Sequence, residues 1–594
     1  MTLLLKYLRP FFKRMAIGTT IKFLGTIMDL FLPWILAYII DSVIPQRNVS
    51  VVFLWGGIMV ICSIFAISGN VIANRMASSV ARDATQTIRH DLFETVSYLS
   101  IPQIDETGIP SLVSRLTSDT YNVHQTIGMM QRIGIRAPIL LIGGIAITAT
   151  LDPVLTLVLV SIMPLTIIVT TIISKKGIPL YGQVQIKIDR LVRVVRENIS
   201  GARVIKALSK GDYEINRFDQ VNRDLINSQI KAGTTMAATP PLMDLFLNLG
   251  LTLVVLVSAF RVNANLTQPG VIIAFLSYFT IILTAMLNIT RIFVIFTRGI
   301  ASANRIDKVL VKTPELEPIS PEEAEAKSHL PSISSDSSDQ IRTDISDHLV
   351  FEQVDFTYPN NRKKTLSNIN FRLKRGQTIG IIGPTGSGKS TIAKLLLRLY
   401  DVSSGRILIN GHDIRTIQSA DLHQKFGVVL QKDVLFSQSI ADNIQFGRHF
   451  TTEDLLESID HAQAKEFIDK VPGKLDYRLK AKGNNLSGGQ KQRVLLSRAM
   501  AGSPEFLILD DSSSALDYQT DAKLRTVLKQ DYPNTTKVII AQRIASIQHA
   551  DIILLLDHGT IIGSGNHQDL LSHNTTYREI YEEQTGVTVT DETI

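Results

Sequence analysis

Six apolar runs fill the first half of this sequence, near residues 15–44, 52–74, 133–150, 153–174, 236–260 and 270–297. Each is long enough to cross about 30 Å of hydrocarbon, a span that takes about 20 helical residues. The third run is marginal if it starts at Pro138. The third and fourth are separated only by Leu151-Asp152-Pro153, which predicts a tight hairpin. A chain of 594 residues is also too long for one core, so at least two domains are expected.

Charge gives the orientation. A net charge of +7 could point to nucleic acid, but cationic membrane proteins look the same, because their cytoplasmic loops concentrate Lys and Arg. The stretch before the first run carries four Lys and Arg, residues 75–137 carry six and residues 175–235 carry twelve. The opposite connections carry only Arg47 and Arg261. The positive-inside rule therefore predicts cytoplasmic termini and two long cytoplasmic connections. The single cysteine, Cys62, excludes an intramolecular disulfide and argues against a thiolate metal site. MTLLLKYLRPFFKRM, basic and amphipathic without a small-residue cleavage site, reads as a retained helix on the inner membrane surface.

Residues 175–235 are helical in pattern but polar, dividing at Ser200-Gly201. Each half of 25–30 residues would reach about 40 Å into water at 1.5 Å per residue. The turning points are expected at 107–120 and 197–208, as levers touching something below the membrane. Residues 313–349, with TPELEPISPEEAEAK and SISSDSSDQ, carry too few apolar residues to pack and read as a linker.

Beyond it, QTIGIIGPTGSGKSTIAKLLLRL places a strand, a Gly-rich loop and a helix in succession. Gly383-Pro384-Thr385-Gly386-Ser387-Gly388-Lys389-Ser390 matches G-x-x-x-x-G-K-[ST], with Thr391 following. Glycines let backbone N–H groups point at phosphates, and the helix beginning there adds its positive end. Lys389 is expected at the β and γ phosphates and the Ser390 hydroxyl on Mg²⁺. The apolar run LILD ends in Asp510, a second Mg²⁺ ligand. These residues define a Mg²⁺-dependent P-loop nucleotidase, but not yet any particular kind.

Asn485-Leu486-Ser487-Gly488-Gly489-Gln490-Lys491-Gln492-Arg493 resembles the signature sequence of ATP-binding cassette (ABC) proteins. Gln431 resembles the loop glutamine that senses Mg²⁺, Tyr358 the aromatic that stacks on adenine, and Ser514-Ala515-Leu516-Asp517 the loop crossing the dimer interface. Six spans followed by one cassette resemble an ABC exporter of the fused half-transporter type. The resemblance implies a multidomain chain: a six-helix transmembrane domain over 1–312 with long cytoplasmic extensions, a linker over 313–349, and an α/β P-loop nucleotide-binding domain over 350–594. It also implies that two chains must pair, the signature turn of one (Ser487, Gly488, Gly489, Gln490) closing over the ATP held by the other.

Two positions depart from the family's pattern. Glu is expected after the Mg²⁺-binding Asp, and Asp511 stands there, one methylene shorter. A switch histidine is expected after the strand KVIIA, and Gln542 stands there, which cannot become cationic. The binding residues and the signature are intact. The combination resembles the degenerate-site subunit of a heterodimeric bacterial multidrug exporter in the plasma membrane. Its partner chain would carry the intact Glu and His, and its cargo would be small amphiphilic compounds. Tyr477-Arg478-Leu479-Lys480-Ala481 departs from the acidic run usual before the signature, which shifts an interface contact toward Arg478 or Lys480. Asp29, Asp244 and Arg291 fall in or near the spans and face either a cavity or a salt-bridge partner. The rival readings are a lipid or peptide exporter, a regulatory or gating subunit, and an ABC ATPase acting on nucleic acid, which the six spans oppose.

Overall fold

The computed structural model describes residues 2–328, 347–359 and 361–586. The chain forms two compact units, one of Met1–Ser97 with Pro110–Lys312 and one of Tyr98–Ile109 with Thr313–Ile594.

In the first unit, six helical runs among the described residues are long and apolar enough to cross a membrane: Leu3–Gln46, Val49–Tyr98, Ile109–Leu151, Pro153–Ser200, Gly211–Asn263 and Pro269–Leu310. Val49–Tyr98 alone has 50 residues, about 75 Å at 1.5 Å per residue and more than twice a 30 Å hydrocarbon core. The surplus is helix extending into water, as the polar halves of these segments require.

Small residues set the packing. Ala66, Ala73, Ala77, Ala81 and Ala84 are buried along one face of the second run, at three- to seven-residue spacing. Opposite them, a Cβ on Gly25 would lie 3.3 Å from the Ala66 carbonyl oxygen, so the first two helices approach at backbone distance. Gly250 makes room for the Phe279 ring, since a Cβ there would fall 2.1 Å from Cζ.

The hairpin between the third and fourth runs is where the sequence puts it. Asp152 Oδ1 accepts from the N–H groups of Val154 (2.9 Å) and Leu155 (3.2 Å) and caps the Pro153–Ser200 helix. Its Oδ2 accepts from Arg261 Nε at 2.9 Å and Thr267 Oγ1 at 2.8 Å. Asp41 caps the last membrane helix across the chain, accepting from Gly270 N–H at 2.6 Å and Val271 N–H at 3.0 Å.

Between the second and third runs the chain turns at residues 99–108, which adjoin the expected 107–120. The short helix Ile101–Thr107 begins at a capping box of Ser100 with Gln103 and ends at Gly108, φ +80°. Residues 109–120 already belong to the next long helical run. The Ile101–Thr107 helix is part of the second unit: Gln103 Nε2 donates to the Thr313 carbonyl at 2.8 Å, Tyr400 Oη donates to Asp105 Oδ2 at 2.5 Å, and Ile101 packs on the cassette core. The second turn is a helix at Ala202–Ala207, within the expected 197–208 and without a buried residue. Ile199, Val204 and Leu208 are exposed around it.

The second unit holds two sheets. A four-stranded antiparallel sheet runs in the order β2 (Leu366–Lys374), β1 (Asp347–Phe356), β4 (Ser404–Ile409), β5 (His412–Asp413). A six-stranded sheet runs β10 (Thr560–Gly565), β9 (Ile552–Asp557), β3 (Thr378–Ile382), β8 (Thr536–Ile540), β7 (Phe506–Asp510), β6 (Phe426–Val429). Its strands β9, β3, β8, β7 and β6 are mutually parallel, with β10 antiparallel at the edge. β3 and β7 are apolar throughout until their ends, as strands buried on both faces must be. Within the expected linker, Pro321–Ser328 forms a helix, and Arg415 donates to the Ala324 carbonyl at 2.9 Å. Residues 329–346 of that linker lie outside the described residues, and β1 opens at Asp347, inside the expected 313–349.

Candidate functional site

In an open parallel sheet, ligands collect beyond the carboxyl ends of the strands. β3, β8 and β7 are neighbours, so the segments that follow them converge: Gly383–Ser390 after β3, Ala541-Gln542 after β8, and Asp510-Asp511 at the end of β7. Thr385, Gly386, Gly388, Lys389, Ser390, Thr391, Gln431, Asp510, Asp511 and Gln542 line one cavity of about 210 Å³.

The loop after β3 can only be built with glycine where it turns. Gly386 and Gly388 have φ of +88° and +100°. A Cβ on Gly383 would sit 2.0 Å from the Leu556 carbonyl oxygen, and one on Gly388 would sit 2.6 Å from Leu366 Cδ2. The Lys389–Leu396 helix starts directly behind, where its first N–H groups have no acceptor within the helix. Lys389 Nζ folds over the loop and donates to the carbonyls of Gly383 (2.7 Å) and Pro384 (2.8 Å). Burial lowers the pKa of this ammonium, while Asp510 and Asp511 pull it back up. The buried Ser387 hydroxyl has no hydrogen-bond partner.

These residues fit a nucleotide phosphate and its cation. The cradle offers N–H donors and an ammonium, and the hydroxyl of Ser390 is hydrogen-bonded to Asp510. Burial pushes the Asp510 carboxyl above its ordinary range, and neighbouring Asp511 adds to this while the Ser390 hydrogen bond opposes it. A buried carboxyl beside a hydroxyl is a pair of hard oxygen donors of the kind Mg²⁺ takes, with Gln431 on the same wall. Ser390, Asp510 and Gln431 would hold such a cation, and it would supply charge neutralisation for the phosphates.

Asp511 and Gln542 complete the wall of the cavity. Asp511 has φ +53°, a left-handed conformation that Asp tolerates better than most residues. Its N–H donates to the Ile540 carbonyl at 2.9 Å. Gln542 Nε2 donates to Asp511 Oδ2 at 3.1 Å. Burial raises the Asp511 pKa, with Lys389 and Arg543 opposing. Gln584, on the helix Thr575–Thr585, fastens the Gln542 segment: its Nε2 donates to the Gln542 carbonyl and its Oε1 accepts from Ile544 N–H, both at 2.8 Å. No sequence pattern marked Gln584.

The remaining expected residues lie elsewhere. Ser487 caps the Gly488–Met500 helix in a capping box with Gln490, Ser487 N–H donating to Gln490 Oε1 at 2.9 Å. Gly488 and Gly489 open that helix. None of these four lines the cavity formed around this chain's own phosphate loop. Tyr358 is also outside the lining; its hydroxyl lies 3.2 Å from Thr391 Oγ1 and its ring packs edge-on against Phe356 and Tyr400. Arg478 is bridged to Ser439, and Lys480 N–H donates to Asn485 Oδ1 at 2.9 Å. In the membrane unit, Asp29 is paired with Arg136 at 2.9 Å, whereas Asp244 and Arg291 are exposed.

Six membrane helices carrying a P-loop cassette define a membrane-embedded ATPase. Its relatives narrow this class. Residues 15–286 match the ABC transporter transmembrane region and residues 366–514 the ABC transporter domain. The chain is 32% identical over 583 residues to an uncharacterized ABC transporter ATP-binding protein, YfiB of Bacillus subtilis, covering 98% of both chains. It is 27% identical over 596 residues to ATP-dependent lipid A-core flippase 1 of Colwellia psychrerythraea, covering 98% of this chain and 95% of that one. A bacterial Atm1-family ABC exporter with ATP bound superimposes with a TM-score of 0.78 at 21% identity, over 98% of this chain and 99% of that one. The chain belongs to the ABC transporter family, as a half-transporter with the exporter fold and an ABC ATPase domain.

Proposed function

We propose that this chain is the degenerate-site half of a heterodimeric exporter that moves amphiphilic compounds across the plasma membrane, with both termini in the cytoplasm. The observation that carries the reading is the Gln542–Asp511 hydrogen bond inside an otherwise complete nucleotide cavity. Phosphate and cation ligands are all present, so ATP is held. The residue that would polarise water is one methylene short, and about 1 Å of misplacement can cost about a hundredfold in rate. Its neighbour is an amide that donates a hydrogen bond and cannot take up charge.

The signature turn supports the second half of the reading. Ser487, Gly488, Gly489 and Gln490 lie apart from this chain's own cavity and form a capped helix start, a place that binds anions. In the pair, that turn completes the partner's competent site, whose own Glu and His hydrolyse ATP. The exposed Ile199, Val204 and Leu208 around Ala202–Ala207 give the second lever an apolar tip for the partner's cassette. ATP binding closes the two cassettes, the turns at 101–107 and 202–207 transmit the closure, and hydrolysis at the competent site resets the spans. A flippase of a lipid among the relatives is compatible with an amphiphilic cargo.

The test is to isolate the tagged chain from its native membrane and identify what accompanies it. A second, different half-transporter is expected, with ATPase that persists in Asp511→Asn and vanishes when the partner's catalytic Glu is replaced. Recovery of a homodimer whose brisk ATPase is abolished by Asp511→Asn would overturn the reading.

A further inference from the structure

We infer that the membrane domain holds a site for the anionic headgroup of an amphiphile, built by Lys22, Arg132 and Arg136 around Asp29. The inference names the cargo class of the export reading above and rests on that reading.

Lys22 is 3% exposed and donates from Nζ to Asn74 Oδ1 at 2.9 Å. Arg136 Nη2 donates to Asp29 Oδ2 at 2.9 Å, and the same oxygen accepts from Asn70 Nδ2 at 3.2 Å. Arg132 bends back along its own helix, Nε donating to the Gly128 carbonyl at 3.1 Å. Gly128 permits this, because a Cβ there would lie 2.9 Å from Arg132 Nη2. The charges acting on Lys22 are the repulsion of Arg136 and Arg132 and the attraction of Asp29. Asn70 and Asn74 stand one helical turn apart, as do Arg132 and Arg136, so Lys22 and Arg132 lie near an Asp29 carboxylate that, among the described residues, Arg136 alone pairs.

A structural ion pair explains only part of this. Asp29 with Arg136 would be self-sufficient; Lys22 and Arg132 add positive charge that it does not match. Arg136 Nε in the cluster and Gln131 Nε2 on the same helix are buried without a hydrogen-bond partner, as is one acceptor, Asn70 Oδ1. Buried donors and surplus charge at membrane depth are costly, and the cost is offset where a ligand brings acceptors and negative charge. Arg136 also opens onto a cavity of about 230 Å³ whose wall is apolar at Ile133, Leu140 and Ile281, with Thr280, Thr284 and Asn288 among them, room for the start of an alkyl chain.

Depth agrees with the chemistry. Arg136 precedes the Asp152 hairpin by about 16 residues, about 24 Å of helix against a core of about 30 Å. With that hairpin outside, the cluster stands at the level of the inner leaflet, where headgroups reside. Guanidinium groups bind phosphate and carboxylate in two-point fashion, so either headgroup fits.

The experiment uses the purified transporter with its partner in nanodiscs of zwitterionic lipid. Binding of fluorescent dodecyl phosphate, dodecanoate and dodecyltrimethylammonium is measured, with inorganic phosphate as a competitor. Dodecyl phosphate or dodecanoate should bind at least tenfold more weakly to Arg132→Gln and Lys22→Gln, with the ammonium probe unaffected. Asp29→Asn, which removes the single negative charge, should tighten anionic binding, a gain that misfolding cannot produce. Displacement by micromolar inorganic phosphate would reassign the cluster to a free anion and overturn the amphiphile inference. Ammonium binding at equal or greater strength, unchanged in the variants, would overturn the headgroup inference and leave the export reading standing. Failure of every amphiphile to bind or to alter ATPase would overturn both.

Discussion

The Gln542 side-chain amide donates to the Asp511 carboxylate across 3.1 Å, at the ends of two adjacent parallel strands. The bond is possible because Asp511 N–H is itself tied to Ile540, the residue two before Gln542. Substituting both partners, Asp511→Glu with Gln542→His, puts a longer carboxylate beside an imidazole that can be protonated. ATP turnover at this site should rise at least tenfold, measured with the opposite site blocked. Each single substitution should give much less, because base and switch act as one unit. No increase in the double variant would mean that something other than these two side chains limits the site.

Asp510 offers a pH test. Burial raises its pKa in the folded cassette, so the protonated carboxyl is the form the fold favours. Its contribution to stability is therefore fully present at low pH and lost as pH rises through the folded pKa. At neutral pH and without nucleotide, Asp510→Asn should raise the thermal midpoint of the second unit's transition. The same variant should lose most of the further rise that Mg²⁺ with ATP gives the unmodified protein, and should bind Mg²⁺ with ATP at least tenfold more weakly. In the unmodified protein, Mg²⁺-dependent ATP affinity should weaken on acidification at a higher pH than an ordinary carboxylate would impose. A variant less stable without nucleotide would contradict the desolvation argument.

What the sequence made legible was what local chemistry alone dictates. The phosphate loop could be read because glycine at Gly383, Gly386 and Gly388 is demanded by contacts and positive φ within a few residues. The spans could be read because hydrocarbon thickness sets helix length. Beside the turn expected at 107–120, Ser100, Pro102, Gln103 and Gly108 spell the start and stop of a short helix, a local signal fainter than the polar run after it. Lys22, Arg132 and Arg136 were passed over because charge near a span's edge looks like ordinary cytoplasmic Lys and Arg. Only tertiary packing brings the cations of two helices together beside one carboxylate. Gln584 carries no local signal at all; its role comes from where the Thr575–Thr585 helix docks.

Gly250 tests the packing of the membrane unit. Its missing side chain is the space the Phe279 ring fills, and Phe279 is 1% exposed. Gly250→Leu should destabilise the protein by about 1–3 kcal/mol through overpacking. The second substitution Phe279→Ala should recover part of that loss, since the two sites share one volume. Thermal unfolding in detergent reads both; additive losses in the double variant would show that the two residues do not compete for space.

Tyr400 and Asp105 test how the Ile101–Thr107 turn is held. Tyr400 is 5% exposed, and its hydroxyl donates to Asp105 Oδ2 at 2.5 Å. Burial first, then the neighbouring carboxylate, raises the phenol pKa well beyond its ordinary value, so it remains a donor throughout the physiological range. Hydrogen bonds to charged groups contribute about 1.5–3 kcal/mol, and Tyr400→Phe removes this one while keeping the ring against Phe356 and Tyr358. Amide exchange in Ile101–Thr107 should therefore speed up about tenfold or more, each 1.4 kcal/mol being tenfold in an opening equilibrium. The nucleotide cavity is untouched, so basal ATP binding should hold, while stimulation of ATPase by transported compounds should fall. Asp105→Asn, which can still accept from the phenol but without charge, should lie between. Unchanged exchange in Tyr400→Phe would place the anchorage of the turn elsewhere, on Gln103 and its bond to the Thr313 carbonyl.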